Sequence, residues 1–173
     1  MDTTFEPEIT AFYCLYCGYM ASDTAGALQI QYPANVKFVR LPCTGKVDVR
    51  YLLQAFEQGA DGVYVVACPL GNCHHVRGNE RGRARLQRTR RLLEHVGIDP
   101  ARLDMFFMSG SQAQAFATTA QVMTDRIREL GPNPLRSGGT GPRPEAASSD
   151  VDAGSTDVVG TRCRAPCPAV DGK

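Results

Sequence analysis

Three apolar runs in this chain each end on a cysteine, and that rhythm restricts the fold more than any other feature. They are Ile9-Thr-Ala-Phe-Tyr-Cys14, Val36-Lys-Phe-Val-Arg-Leu-Pro-Cys43 and Gly62-Val-Tyr-Val-Val-Ala-Cys68. As parallel strands of one sheet, they would gather their thiols at its carboxyl edge, where open α/β sheets bind ligands. Thiols placed there point to a soft metal or an iron–sulfur cluster.

The segments between the runs carry helical spacing. A short helix is expected after Gly18, with Ser22 or Asp23 as N-cap and Ala25, Ala27 and Leu28 inside it. Asp48 reads as the N-cap of a second helix, with Val49, Leu52, Leu53 and Phe56 on its inner stripe and Gly59 as its left-handed C′ residue. A long helix is expected over about 80–96, with Leu86, Leu93 and Val96 facing inward. A fourth strand follows over 103–108, then a last helix from near Ser111 with Ala113, Phe116, Ala120, Met123, Ile127 and Leu130 buried. This alternation predicts an α/β fold: a four-stranded parallel sheet flanked by helices, doubly wound and flavodoxin-like, with right-handed crossovers. A strand order of 2-1-3-4 would put the switch point between the strands that end at Cys14 and Cys68.

The chain has 173 residues, enough for one domain with one core. Residues 1–134 read as that α/β domain. Residues 131–173 hold seven Gly and six Pro and no aromatic residue, Met or Ile, so 135–173 is expected to be a disordered tail. A formal net charge of +1 gives no global attraction to nucleic acid or membrane, and no apolar run approaches the roughly 20 residues of a membrane helix. The acidic start, Met-Asp-Thr-Thr-Phe-Glu, lacks the pattern of a secretory signal, so a cytoplasmic location is expected. There thiols stay reduced, and seven cysteines, an odd number, serve as metal ligands or redox groups sooner than as disulfides.

Cys14-x-x-Cys17 and Cys68-x4-Cys73 are both chelating spacings, and together they supply four thiolates. That number suits a [2Fe–2S] cluster or a tetrahedral zinc. Cys43 is a fifth candidate, either as one of the four or beside them. The residues leave three readings open: a redox cluster, a zinc-bound scaffold, or a thiol enzyme using Cys68 or Cys73 as nucleophile. A Rieske centre is not expected, because only Cys73 has adjacent histidines, His74 and His75; these read as polar loop residues or donors to a cluster sulfur. Cys163 and Cys167 lie in the tail and read as incidental. Gly78-x-x-x-Gly82 is too sparse for a phosphate loop, and there is no P-loop, Gly-x-Gly-x-x-Gly or Ser/His/Asp arrangement. Arg81, Arg85 and Arg88 share a face of the arginine-rich third helix and are expected to form a docking surface for an acidic partner. Aromatic residues are not interleaved with these charges, which argues against nucleic acid.

The set Cys14-x-x-Cys17, Tyr32-Pro33, Cys43-Thr-Gly-Lys-Val-Asp48, Ala55-Phe56-x-x-Gly59-Ala-Asp-Gly62, Cys68-x-x-Gly71-Asn-Cys73-His74, Gly78-Asn79 and Leu130-Gly-Pro-Asn-Pro-Leu135 resembles the delta subunit of methyl-viologen-reducing hydrogenase. The resemblance covers about residues 9–135. It implies a [2Fe–2S] cluster held by four of Cys14, Cys17, Cys43, Cys68 and Cys73. It also implies two partners, the flavoprotein subunit of a heterodisulfide-reductase-like complex and a hydrogenase or other oxidoreductase.

Overall fold

The computed structural model describes residues 5–137. Four strands, β1 (Ile9–Cys14), β2 (Val36–Leu41), β3 (Gly62–Ala67) and β4 (Leu103–Phe107), form one sheet in the order β2-β1-β3-β4, with every pair parallel. Helices α1 (Met20–Ala27), α2 (Val49–Glu57), α3 (Gly78–His95) and α4 (Ala113–Leu130) alternate with the strands, and a short α5 (Pro134–Ser137) follows. The expected fold class and strand order are both found.

Two apolar layers sandwich the sheet. Ile9, Ala11, Tyr13, Tyr64 and Val66 pack on Ala21 and Ala25 of α1 and on Phe116, Ala120, Met123 and Ile127 of α4. On the other face Phe12, Val63, Val65 and Leu103 pack on Leu52 and Phe56 of α2 and on Leu86 and Leu93 of α3. Covered on both faces, β3 is buried along its whole length, as a central parallel strand must be. The phenols of Tyr13 and Tyr64 meet across β1 and β3 at 2.6 Å, which satisfies both hydroxyls inside the apolar layer. Burial, followed by the neighbouring phenol, raises the pKa of Tyr13 well above its ordinary value.

The N-cap of α2 is Asp48, whose carboxylate accepts from the Arg50 N–H at 3.0 Å, and Gly59 past its end has φ +97°. Both match the sequence reading. The first helix does not. A single π-helical turn, Leu15–Tyr19, runs from the end of β1 directly into α1, so neither Ser22 nor Asp23 is an N-cap. Ser22 instead lies inside the helix and donates to the Tyr19 carbonyl. Val96 also departs from expectation: it lies at the C-cap of α3, exposed, and Ile98 fills the core there.

The amino edge of the sheet is clamped by polar groups. Buried Asp61 accepts from the N–H of Glu8 and of Asn133 and pairs with Arg136 at 2.8 Å. The amide of Asn133 donates to the carbonyls of Phe56 and Ala60, and Arg102 donates to those of Asp61, Leu130, Gly131 and Pro132. The Gly131-Pro-Asn-Pro sequence is therefore a structural tie, far from the thiols. Among the described residues no helix is long and apolar enough to cross a membrane. The expected tail starts too early: residues 135–137 belong to α5, where Arg136 pairs with Asp61, and the rest of it, with Cys163 and Cys167, lies outside the described residues.

Candidate metal centre

All five cysteines of the body, Cys14, Cys17, Cys43, Cys68 and Cys73, come together in one buried group at the carboxyl edge, and none is in a disulfide. The topology accounts for this. Cys14 ends β1, Cys17 lies on the π-helical turn, Cys43 follows β2, Cys68 opens the loop between β3 and α3, and Cys73 lies within that loop. Because the strands are parallel and in register, their ends share one edge.

Within the group the sulfurs are not evenly placed. The Sγ atoms of Cys14, Cys17 and Cys68 all lie within 4.8 Å of one another, with Cys17 to Cys68 at 2.8 Å and Cys14 to Cys68 at 3.8 Å. Cys43 and Cys73 meet at Gly78, the first residue of α3. A Cβ built there would stand 2.1 Å from the Cys43 sulfur and 3.1 Å from the Cys73 sulfur. Two more glycines allow this approach. A Cβ on Gly82 would meet the Thr44 carbonyl oxygen at 2.9 Å, and one on Gly45 would meet the Gly78 Cα at 3.0 Å. The Gly78-x-x-x-Gly82 spacing is thus a close-packing device that seats α3 on the Cys43 loop, and the helical spacing of two glycines was its sequence signal.

The backbone around the thiols is arranged for anions. Burial pushes the Cys68 thiol up to about 12, with the Cys17 contact adding to the rise, and burial also raises Cys14, Cys17 and Cys43. Cys73 moves the other way. Burial acts to raise it as well, but the N–H groups of Asn79, His75 and Gly78 outweigh that effect and lower it. Two of those donors open α3, where unpaired N–H groups and the helix dipole favour negative charge. The Gly45 N–H donates to the Cys43 sulfur at 3.4 Å. A bound metal inverts the cost of burial, because coordinated thiols are deprotonated. Five buried sulfurs with backbone N–H donors suit a thiophilic metal or iron–sulfur group. The fully buried Thr44 hydroxyl, next to Cys43 in the chain, has no hydrogen-bond partner among the described residues. Of the two cysteines that could act as nucleophiles, Cys68 is shifted in the wrong direction and Cys73 in the favourable one.

His74 and His75 are both exposed. His74 stacks on Tyr16 with ring centroids 3.9 Å apart, and it is its backbone N–H, not its imidazole, that faces Cys68. Asn79, whose role its place in the sequence does not reveal, is buried. It donates to the carbonyls of Cys68 and Pro69 at 3.0 and 2.8 Å, which pins the start of the Cys68–Cys73 loop to α3. The three arginines of the expected docking face differ in surroundings. Arg81 and Arg88 are exposed, whereas half-buried Arg85 donates to the carbonyls of Gly45 and Val47 at 2.6 and 2.9 Å and braces the loop that carries Cys43.

Residues 9–131 match the family described as methyl-viologen-reducing hydrogenase, delta subunit. The chain belongs to that family. It is 47% identical over 131 residues to an F420-non-reducing hydrogenase vhu iron-sulfur subunit of Methanocaldococcus jannaschii, covering 76% of this chain and 98% of that protein. The protein of the same name from Methanococcus maripaludis is 45% identical over the same share of each. A ferredoxin/F(420)H(2)-dependent CoB-CoM heterodisulfide reductase subunit of Methanosarcina acetivorans is 32% identical over 126 residues, 73% of this chain and 16% of that longer protein.

Proposed function

We propose that this delta-subunit family member is an electron-transfer subunit carrying one [2Fe–2S] cluster. It would relay electrons between a hydrogenase-like or other oxidoreductase and the flavin subunit of a heterodisulfide-reductase-like complex. The observation that carries the reading is the single buried group of five thiols at the sheet edge. Four of Cys14, Cys17, Cys43, Cys68 and Cys73 would hold the cluster, which when bound takes up and returns one electron at a time. The protein's own contribution is to align the thiolates, exclude water and donate N–H groups to sulfur, levers that set the potential of such a centre.

The relatives support both halves of this reading. Those matched over nearly their full length are hydrogenase iron-sulfur subunits. The match to a segment of a heterodisulfide reductase subunit shows the same unit as one part of a reductase chain. Docking through the exposed arginines of α3, Arg81 and Arg88, belongs to the same proposal, with Arg85 holding the ligand loop.

The test is composition. Protein purified without oxygen is expected to be brown, with iron and acid-labile sulfide each near two per chain. Cys14→Ala, Cys17→Ala, Cys68→Ala and Cys73→Ala should each cut the visible absorbance sharply. Stoichiometric zinc without iron would overturn the relay and leave a zinc-bound scaffold.

A further inference from the structure

On the α2 and α3 side of the thiol group an open cleft of about 600 Å³ leads to Cys43. Besides Arg85, which is held by the Gly45 and Val47 carbonyls, the lining carries three cations from three elements: Lys46 from the turn after Cys43, Arg50 from the first turn of α2 and Arg81 from the first turn of α3. All three are exposed, and none has an ion pair among the described residues. The carboxylate on the lining, Asp48, is engaged in capping α2. Tyr51 lies beside Arg50 on the same wall with about half its surface exposed.

From this juxtaposition of Lys46, Arg50 and Arg81 around the mouth over Cys43, we infer that the cleft is the docking port for a carboxylate-rich segment of a protein partner. It deepens the relay reading, on which it rests only for the visitor's redox role. A small phosphate compound fits less well. The backbone donors that would cradle a phosphate are already turned on sulfur: Gly78 and Asn79 toward Cys73, and Gly45 toward Cys43. What remains free is side-chain charge spread over three elements, with an aromatic ring at the wall, a surface that suits several carboxylates of a protein. Charge of this kind raises the association rate and sets orientation, so an acidic segment seated there would be held over the thiol edge.

The lysines make the inference directly testable. The chain has three: Lys37, which pairs with Glu8 at 3.6 Å, Lys46 in the cleft, and Lys173 at the carboxyl terminus. The metal-loaded full chain would be mixed with a labelled polyglutamate peptide and a carbodiimide, which joins carboxylates to lysine amines, and the adducts mapped by mass spectrometry. Adducts are expected at Lys46 well in excess of Lys37 and Lys173, and they should vanish at high salt. The Arg50→Ser, Arg81→Ser double variant should bind the peptide about tenfold more weakly by anisotropy, with iron content and far-UV spectrum unchanged. Lys46→Arg should keep the affinity and lose the adduct. Adducts spread evenly over the lysines would overturn the port, as would an unchanged affinity in the double variant. Tight binding of inorganic pyrophosphate that blocks Lys46 would overturn it too, in favour of a small-anion site. Lys46 adducts on a colourless, zinc-loaded protein would uphold the port while removing the relay.

Discussion

Gly78 is the position where sequence, packing and chemistry meet most tightly. Its hydrogen in place of a methyl lets two sulfurs approach the first turn of a helix, and its own N–H is one of the donors that lower Cys73. Its φ is not in the left-handed region, so alanine is acceptable to the backbone and only space forbids it. With a Cβ 2.1 Å from the Cys43 sulfur, either that sulfur or the end of α3 must move. Overpacking of this kind costs about 1–3 kcal/mol. Gly78→Ala is therefore expected to fold, with an unchanged far-UV spectrum, but to lose much of its metal content and visible absorbance. Full iron content in that variant would mean that Cys43 and Cys73 are not both needed in their present places. At this scale the sequence was legible where a residue's chemistry announces itself, as the five thiols and Asp48 do. It was illegible where the role depends on a distant neighbour. Nothing local to Gly78 says that Cys43, 35 positions earlier, lies against it.

At the scale of elements, the strands and their order were readable because period, burial and crossover handedness all point to one sheet. The entry to α1 was not. A Ser-Asp pair is the usual N-cap signal, but the Cys14–Cys17 turn winds straight into the helix and leaves no free helix start to cap. Nor was the division of labour on α3 readable, because its arginines look alike in sequence while, among the described residues, Arg85 is the one hydrogen-bonded to the Cys43 loop. That difference yields an expected outcome. Arg85→Met keeps the apolar stem but removes two part-buried, charge-assisted bonds to loop carbonyls, at a cost of about 2 kcal/mol. Amide exchange in the Cys43–Val47 loop should accelerate and iron content should fall, whereas Arg88→Met should leave both as they were. Equal behaviour of the two variants would show that the brace is not holding the loop.

At the scale of the whole molecule, the sheet is closed by different means at its two edges. The amino edge is tied by the protein itself, through Asp61, Arg102, Asn133 and Arg136. At the carboxyl edge the segments after β1, β2 and β3 meet through five cysteines whose thiols are mostly raised by burial, with no ion pair among them. A metal group bound to those thiolates would cross-link three segments far apart in the chain, and its binding free energy would become folding free energy. Removing it by chelation or oxidation should lower the unfolding midpoint by about 10 °C or more, since each kcal/mol is worth a few degrees in a chain of this size. The loss should also be polar. Amide exchange should rise first in Leu15–Tyr19, in the Cys43 turn and in the Cys68–Cys73 loop, while β4, α4 and the Asn133 tie keep their protection. A metal-free protein with the same midpoint and the same exchange pattern as the loaded one would show that the apolar layers alone hold the thiol edge together.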